Sequence, residues 1–341
     1  MMTSIFGGIA AALVAVCVTL MLIPIARRIG LVDIPSGGRK VHKKPTALVG
    51  GFGILIGVVV VLMGASHVSP ELLPVLSAEK WTALIAATII IFLIGTIDDL
   101  HNLSPRVQII GPIVAAILVS MSGIVVGKIT NPSGGVFSFE SFPLFAGVLT
   151  FAWLMGMMYS TKLLDGLDGL STGLSGIGAV MIFALTQTHA YYQPQIGFVA
   201  LVFAGACFGF LILNFNPARA FLGEGGSLFV GFTLALLAIL SGSKIATALI
   251  VMGLPVVDVA RVIVERKLRG HPVAQGDDQH LHHLLLANGL SHRTAVLLYY
   301  FVGFLFGGLA LFLQSRGKII LLVILVVIGL LCAQALRRKK I

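Results

Sequence analysis

Residues 82–99 read TALIAATIIIFLIGTIDD, an apolar run that ends on two adjacent carboxylates, Asp98 and Asp99. Apolar runs of this kind recur outward in both directions, near 4–26, 48–66, 82–97, 107–126, 142–159, 169–188, 196–213, 227–241, 245–264, 294–313 and 318–336. A helix needs about 20 apolar residues to cross a bilayer. The pattern therefore predicts an all-α, polytopic integral membrane protein with about eleven transmembrane helices. Composition agrees: 57% of the 341 residues are hydrophobic and 11% charged, against about 25% charged in a soluble domain. An ordinary soluble protein is excluded, and the connections are too short for a separate soluble domain. The chain reads as a single transmembrane domain over 1–341, and the first run, uncut by a cleavage signal, reads as a retained helix.

Basic residues fix the expected orientation. With the N-terminus outside and the C-terminus cytoplasmic, 18 of the 23 Lys and Arg residues fall inside, among them the terminal RRKK, as the positive-inside rule requires. Ten of the thirteen acids fall on the same side. The formal charge of +10 is thus a sidedness signal around an acidic cluster, not a nucleic-acid-binding surface. Cys17, Cys207 and Cys332 lie far apart in separate apolar runs and read as filler, with neither a disulfide framework nor a metal pattern.

The expected inner loops, near 27–47, 98–106, 160–168, 214–226 and 265–293, carry the chemistry-bearing residues. The first holds RKVHKKP, whose Arg39, Lys40, His42 and Lys43 can hold a phosphate-bearing substrate or attract anionic lipid. In the second, Asp98 and Asp99 repel each other at the mouth of an apolar helix and need a cation, a proton or donors; they are candidates for a metal site or a general base. Arg106 follows, close enough in sequence to hold a phosphate. The third, KLLDGLDGLSTG, spaces Asp165 and Asp168 three apart, which on a helix puts both on one face; capping of the next helix is an alternative reading. In the fourth, Glu224 sits among Gly223, Gly225 and Gly226 before a helix start that presents N–H groups to an anion, and can serve a metal. The fifth holds DDQHLHHLL. Its His280 and His283 can share a helical face with His282 elsewhere, and phosphate binding suits these imidazoles better than a structural zinc site.

Taken in order, RKVHKKP with Gly50 and Gly51, IDDLHNLSPR, LLDGLDGLSTG, NFNPARAFLGEGGSLFVG and DDQHLHHLLLANGLS resemble the polyprenyl-phosphate N-acetylhexosamine-1-phosphate transferases, glycosyltransferase family 4. The HLHH form is closer to the WecA and TagO branch than to MraY. The resemblance implies a multi-pass enzyme of the plasma (inner) membrane with its active site on the cytoplasmic face. It would move N-acetylhexosamine 1-phosphate, GlcNAc first, from a UDP-sugar to undecaprenyl phosphate or another polyprenyl phosphate. UMP leaves, and the lipid product starts a cell-envelope glycan.

On the same resemblance, Asp98 or Asp99 deprotonates or positions the acceptor phosphate, while Asp165 and Asp168 organise metal and nucleotide sugar. Arg106, His280, His282 and His283 hold phosphates. The implied partners are these two substrates and membrane lipid, with no nucleic acid and with a homodimer left open. The implied cofactor is Mg2+, or Mn2+, on Asp168 and Glu224. Two departures touch that site. Lys162 stands where the family usually has Asn, and Glu224 where it usually has Asp, so the Lys162 ammonium is expected to pair with Glu224 and to shift or weaken metal binding. Competing expectations are an MraY-like phospho-N-acetylmuramoyl-pentapeptide transferase, a cation-coupled transporter and an inactive relative.

Overall fold

In lipid, backbone amides find no water, so long apolar runs close their hydrogen bonds internally as helices. The computed structural model describes residues 1–35, 44–131, 135–139, 141–242, 244–268, 270 and 279–338, and within them the chain is helical accordingly. Arg39, Lys40, His42 and Lys43 of the first inner loop lie outside the described residues. The long helices are α1 (Met2–Ile29), α2 (Gly50–Val68) and α3 (Ala78–His101), followed by the short α4 (Pro105–Gln108) and α5 (Ile110–Met121). Next come α6 (Pro143–Leu164), α7 (Leu170–Thr186), α8 (Pro194–Asn214) and α9 (Glu224–Leu240). The chain ends with α10 (Ile245–Val251), α11 (Gly253–Leu268), α12 (Leu281–Ala287), α13 (His292–Phe312) and α14 (Ser315–Arg338).

Every apolar run read from the sequence coincides with a helix or a helix pair. Among the described residues seven helices, α1, α2, α3, α6, α8, α13 and α14, are long and apolar enough to cross a membrane. An eighth crossing forms if α10 and α11, bent by 79°, count as one. The apolar run at 245–264 continues through this bend without a break. Its cause is local: Pro255 in the first turn of α11 supplies no N–H to continue α10. Pro105–Met121, α7 and α9 are apolar but shorter.

Helices α1 and α8 pack along their length. A methyl group on Gly205 would overlap the carbonyl oxygen of Gly8, so glycine is what lets the two backbones meet, as small residues do between helices in membranes. The buried centre is formed by α7, α8 and α9, with Phe203, Phe210, Phe232 and Leu174 essentially inaccessible. Many large apolar side chains on α1, α3, α13 and α14 face outward, the pattern of a bundle whose surroundings are themselves apolar.

Two elements tie the loops together at one end of the bundle. Strands β1 (Val32–Asp33) and β2 (Thr46–Leu48) pair antiparallel, and β2 pairs parallel with a strand at Ala220–Phe221 through Ala47 and Ala220. The backbone N–H of Gly51 donates to the Leu222 carbonyl at 2.9 Å. The segments flanking RKVHKKP are thus clamped to the loop that leads into Glu224, far along the chain. A separate hairpin of Lys128–Thr130 and Val136–Ser138 follows α5 at the other end.

Candidate active site

The end of α3 is shaped by its two acids. Asn102 ends the helix in the left-handed region at φ 51°, which Asn tolerates better than most residues, and the chain turns back over Asp98. Asp98 is buried, and its Oδ1 accepts from the Leu103 N–H at 2.7 Å and from Gln108 Nε2 at 2.9 Å. Asp99 points the other way. Both its oxygens accept from the N–H of Glu224, at 3.1 and 3.0 Å, where that N–H is one of the unpaired donors of α9. Gly223 makes the approach possible: its φ is +77°, and a Cβ there would meet Asp99 Oδ2 at 2.7 Å.

Gln108 links the second loop to the third. Its Oε1 accepts from Lys162 Nζ at 3.0 Å, and Lys162 Nζ is also ion-paired with Glu224 Oε1, both side chains largely buried. The pairing expected from the two departures is therefore present. Lys162 sits on the last turn of α6, and Glu224 on the first turn of α9, two helices packed side by side.

Residues 165–169 form a turn between α6 and α7 and not the helix that the Asp165–Asp168 spacing suggested, because two glycines in five positions favour a turn. Neither acid caps α7, whose N-cap is Gly169 at φ 84°. Asp168 Oδ2 instead accepts from Asn216 Nδ2 at 2.8 Å and from the Ala218 N–H at 3.2 Å, joining the third loop to the fourth. Asp165 is held well above the usual carboxylate range, first by burial and then by the negative charges of Glu224, Asp99 and Asp168. These four acids thus share one electrostatic environment.

The histidines reach the same place. His280 caps α12 and does not share a helical face with His283. His280 Nδ1 lies 3.0 Å from Asp258 Oδ2, which also accepts the Leu281 N–H at 2.9 Å. Arg261 holds Asp258 Oδ1 at 2.7 Å and the Gln279 carbonyl at 2.5 Å, and Glu265 and Arg337 extend the network across to α14. His282 stacks on His280 at 5.7 Å and touches His283 at 4.2 Å between ring centroids. It is buried, and burial with the neighbouring imidazoles pulls its pKa down to about 3, so it is neutral at ordinary pH. Among the described residues neither of its ring nitrogens has a hydrogen-bond partner, and a Cβ on Gly166 would lie 3.2 Å from Nε2. The imidazole is thereby seated against the DGLD turn.

Of the residues chosen from sequence, Asp98, Asp99, Asp165, Asp168, Lys162 and Glu224 gather at one end of the bundle with His280, His282 and His283 beside them. Arg106 stands exposed on α4, and the residue of that element that reaches the acids is Gln108. Gln108, Asp258 and Arg261 were missed as site residues. Gln108 is a neutral amide without a charge signal. Asp258 and Arg261, an acid and a base three apart in an apolar helix, did carry one, since ionisable groups at membrane depth are rare without a role.

Oxygen-rich side chains are the right donors for magnesium, and most of those gathered here already have protein partners. Glu224 is engaged by Lys162, and Asp98, Asp99 and Asp168 each spend oxygens on protein N–H donors. Among the described residues no three His, Cys, Asp or Glu side chains group closely enough to hold a metal ion.

Residues 81–242 match the family model described as glycosyl transferase family 4. The chain is 35% identical over 319 residues to the "Probable undecaprenyl-phosphate N-acetylglucosaminyl 1-phosphate transferase" of Bacillus subtilis (strain 168), covering 90% of this chain and 85% of that one. It is 32% identical over 320 residues to the decaprenyl-phosphate N-acetylglucosaminephosphotransferase of Mycobacterium tuberculosis (strain ATCC 25618 / H37Rv), covering 86% and 78%. A phospho-N-acetylmuramoyl-pentapeptide-transferase of Halalkalibacterium halodurans is 30% identical over 318 residues, covering 88% and 94%.

Proposed function

The chain belongs to glycosyl transferase family 4, and on that premise we propose that it transfers N-acetylglucosamine 1-phosphate from UDP-GlcNAc to undecaprenyl phosphate or a related polyprenyl phosphate. It is a sugar-phosphate transferase and a multi-pass membrane protein. Eleven crossings, an outside N-terminus and a cytoplasmic C-terminus complete the reading, supported by the sidedness of the basic residues and by the match of each apolar run to a helical stretch. The site then faces the cytoplasm, where a nucleotide sugar is available.

The observation that carries the reading is the cluster itself: acids from α3, the DGLD turn and the start of α9, with one fixed ammonium and the neutral His282 imidazole, at the mouth of an apolar bundle. The reaction forms a bond from an acceptor phosphate oxygen to the sugar-bound phosphorus of the donor. The bond from that phosphorus to the oxygen bridging to the uridine phosphate breaks, and UMP leaves. A phosphate monoester with a second pKa near 6 is already largely ionised at neutral pH, so Asp98 and Asp99 serve more to position donors and exclude misplaced anions than to generate the nucleophile. Lys162, fixed from both sides by Gln108 and Glu224, offers positive charge where the pyrophosphate charge grows. His282 can donate one hydrogen bond as a neutral imidazole, and the cations of RKVHKKP would bring further charge from the first loop. No step is assigned to a metal, and a dependence on added magnesium weaker than a carboxylate-built site would give is part of the proposal.

Purified protein incubated with undecaprenyl phosphate and a panel of UDP-sugars tests this. UMP release with UDP-GlcNAc is the expected result. Turnover only with a UDP-muramoyl-peptide would assign the donor to the pentapeptide-transferase type, and no UMP with any donor would overturn the reading.

A further inference from the structure

The opposite end of the bundle holds a second polar site. Helix α9 runs 17 residues from Glu224 to Leu240, about 25 Å at 1.5 Å per residue, so nothing at its far end touches the transferase cluster. There a cavity of about 210 Å³ opens between the start of α10 and the start of α14. Its polar lining includes Lys244, Thr247, Ser315 and Lys318, and its wall continues in apolar side chains such as Leu249 and Leu322.

The two lysines are held by neutral groups. Lys318 Nζ donates to Thr247 Oγ1 at 3.1 Å, and Lys244 Nζ lies 3.6 Å from the centre of the Tyr191 ring. Among the described residues neither has a carboxylate ion-pair partner. Burial, and then the charge of Lys318, pulls the Lys244 pKa down, so the two ammonium groups feel each other. Two like charges partly out of water and without a counter-ion are costly, and an anion between them removes that cost. Ser315 opens the 24-residue α14, whose unpaired N–H groups and dipole favour the same ligand. The cavity is smaller than sites that enclose whole small molecules, which suits a phosphate group. The apolar wall, in a chain that crosses a membrane, suits a ligand whose tail stays in lipid.

We propose that Lys244 and Lys318 clamp the phosphate of an anionic membrane lipid at the end of the bundle opposite the transferase cluster, with the lipid tail on the apolar wall between α10 and α14. This site is independent of the transfer reaction. Native mass spectrometry of the full chain, released from mixed phosphatidylglycerol and phosphatidylcholine membranes, tests it. Wild-type protein is expected to retain one phosphatidylglycerol about tenfold better than phosphatidylcholine, a difference of about 1.4 kcal/mol. Lys244→Gln with Lys318→Gln should lose that preference, and Lys244→Arg with Lys318→Arg should keep it, which separates lost charge from lost folding. Lys80→Gln, a lysine at the same end, should keep it too. Equal retention by wild type and the Gln pair would overturn the proposal. So would 20 mM inorganic phosphate displacing the lipid and raising Tm as much as the lipid does, which would assign the clamp to the free anion.

Discussion

Half-buried lysines stand at both ends of this bundle, and their surroundings differ. At one end Lys162 is locked between Glu224 and Gln108, inside a group of acids where burial, and then the neighbouring negative charges, holds Asp165 above the usual carboxylate range. At the other, Lys244 and Lys318 rest on a ring and a hydroxyl without a carboxylate partner among the described residues. The first arrangement is internally compensated and takes in substrates that bring both charge and leaving group. The second is uncompensated and waits for an anion alone. A lysine in an apolar helix thus carries no meaning by itself; its partner decides whether it belongs to a reaction or to a binding site.

The contrast can be broken by substitution. The largest effect is expected from the acids: Asp168→Asn or Asp99→Asn should lower the UMP release rate by about 10²-fold or more, the cost of misplacing reacting groups by about 1 Å, while the protein still inserts and elutes as a monodisperse species. Unchanged rates would move the site elsewhere. Next, Lys162→Met leaves Glu224 without its ammonium partner and should cost about 10²–10³-fold. Lys162→Asn with Glu224→Asp is expected to recover activity only as magnesium is added, giving a steeper magnesium titration than wild type. Identical titrations for both proteins would remove Lys162 from its assigned role.

Asp258→Asn tests whether the ionic network positions the histidines. A loss of about 10–100-fold in kcat with little change in KM is expected, as for supports behind a functional side chain, and His282→Asn in the same background should add little. A full additional loss would mean that the two act independently. The smallest effect belongs to the far end, where Lys244→Gln with Lys318→Gln should leave UMP release within about twofold.

The pH dependence of stability follows from His282. Its folded pKa of about 3 lies below the unfolded value near 6.5, so the unfolded chain takes up the proton first as pH falls. The stability from burying a neutral ring is present above about pH 6.5 and is lost progressively toward pH 3, by about 2 kcal/mol at pH 5. The Tm of wild type should therefore fall between pH 6.5 and 5 more than that of His282→Leu, measured in the same detergent. Parallel curves would mean that His282 is solvated.

Much of this was legible beforehand, because a membrane makes one demand that dominates all others: apolar runs long enough to cross must be helices. The apolar runs read from hydropathy therefore coincide with helices, and IDDLH, LLDGLDG, GEGG and HLHH converge at one end of the bundle. What was not legible depends on bonds between distant positions. The three-stranded clamp is built from strands of two or three residues, too short to show periodicity. The bend before Gly253 hid inside a continuous apolar run although Pro255 marked it. Spacing rules for a helix misplaced Asp165 and Asp168, since the glycines between them turn the chain. Gln108 carries no charge, and only its contact with both Asp98 and Lys162 reveals it.

The central claim is that the sugar-bound phosphorus moves to the lipid while the uridine-bound phosphorus leaves. Donor UDP-GlcNAc labelled with ³²P at one phosphorus or the other, incubated with the full chain and undecaprenyl phosphate and then partitioned between butanol and water, tests this directly. The sugar-bound label is expected in the organic phase and the uridine-bound label in aqueous UMP, in equal amounts. Both labels remaining in water, or the sugar-bound label appearing as free phosphate or GlcNAc 1-phosphate, would contradict the account.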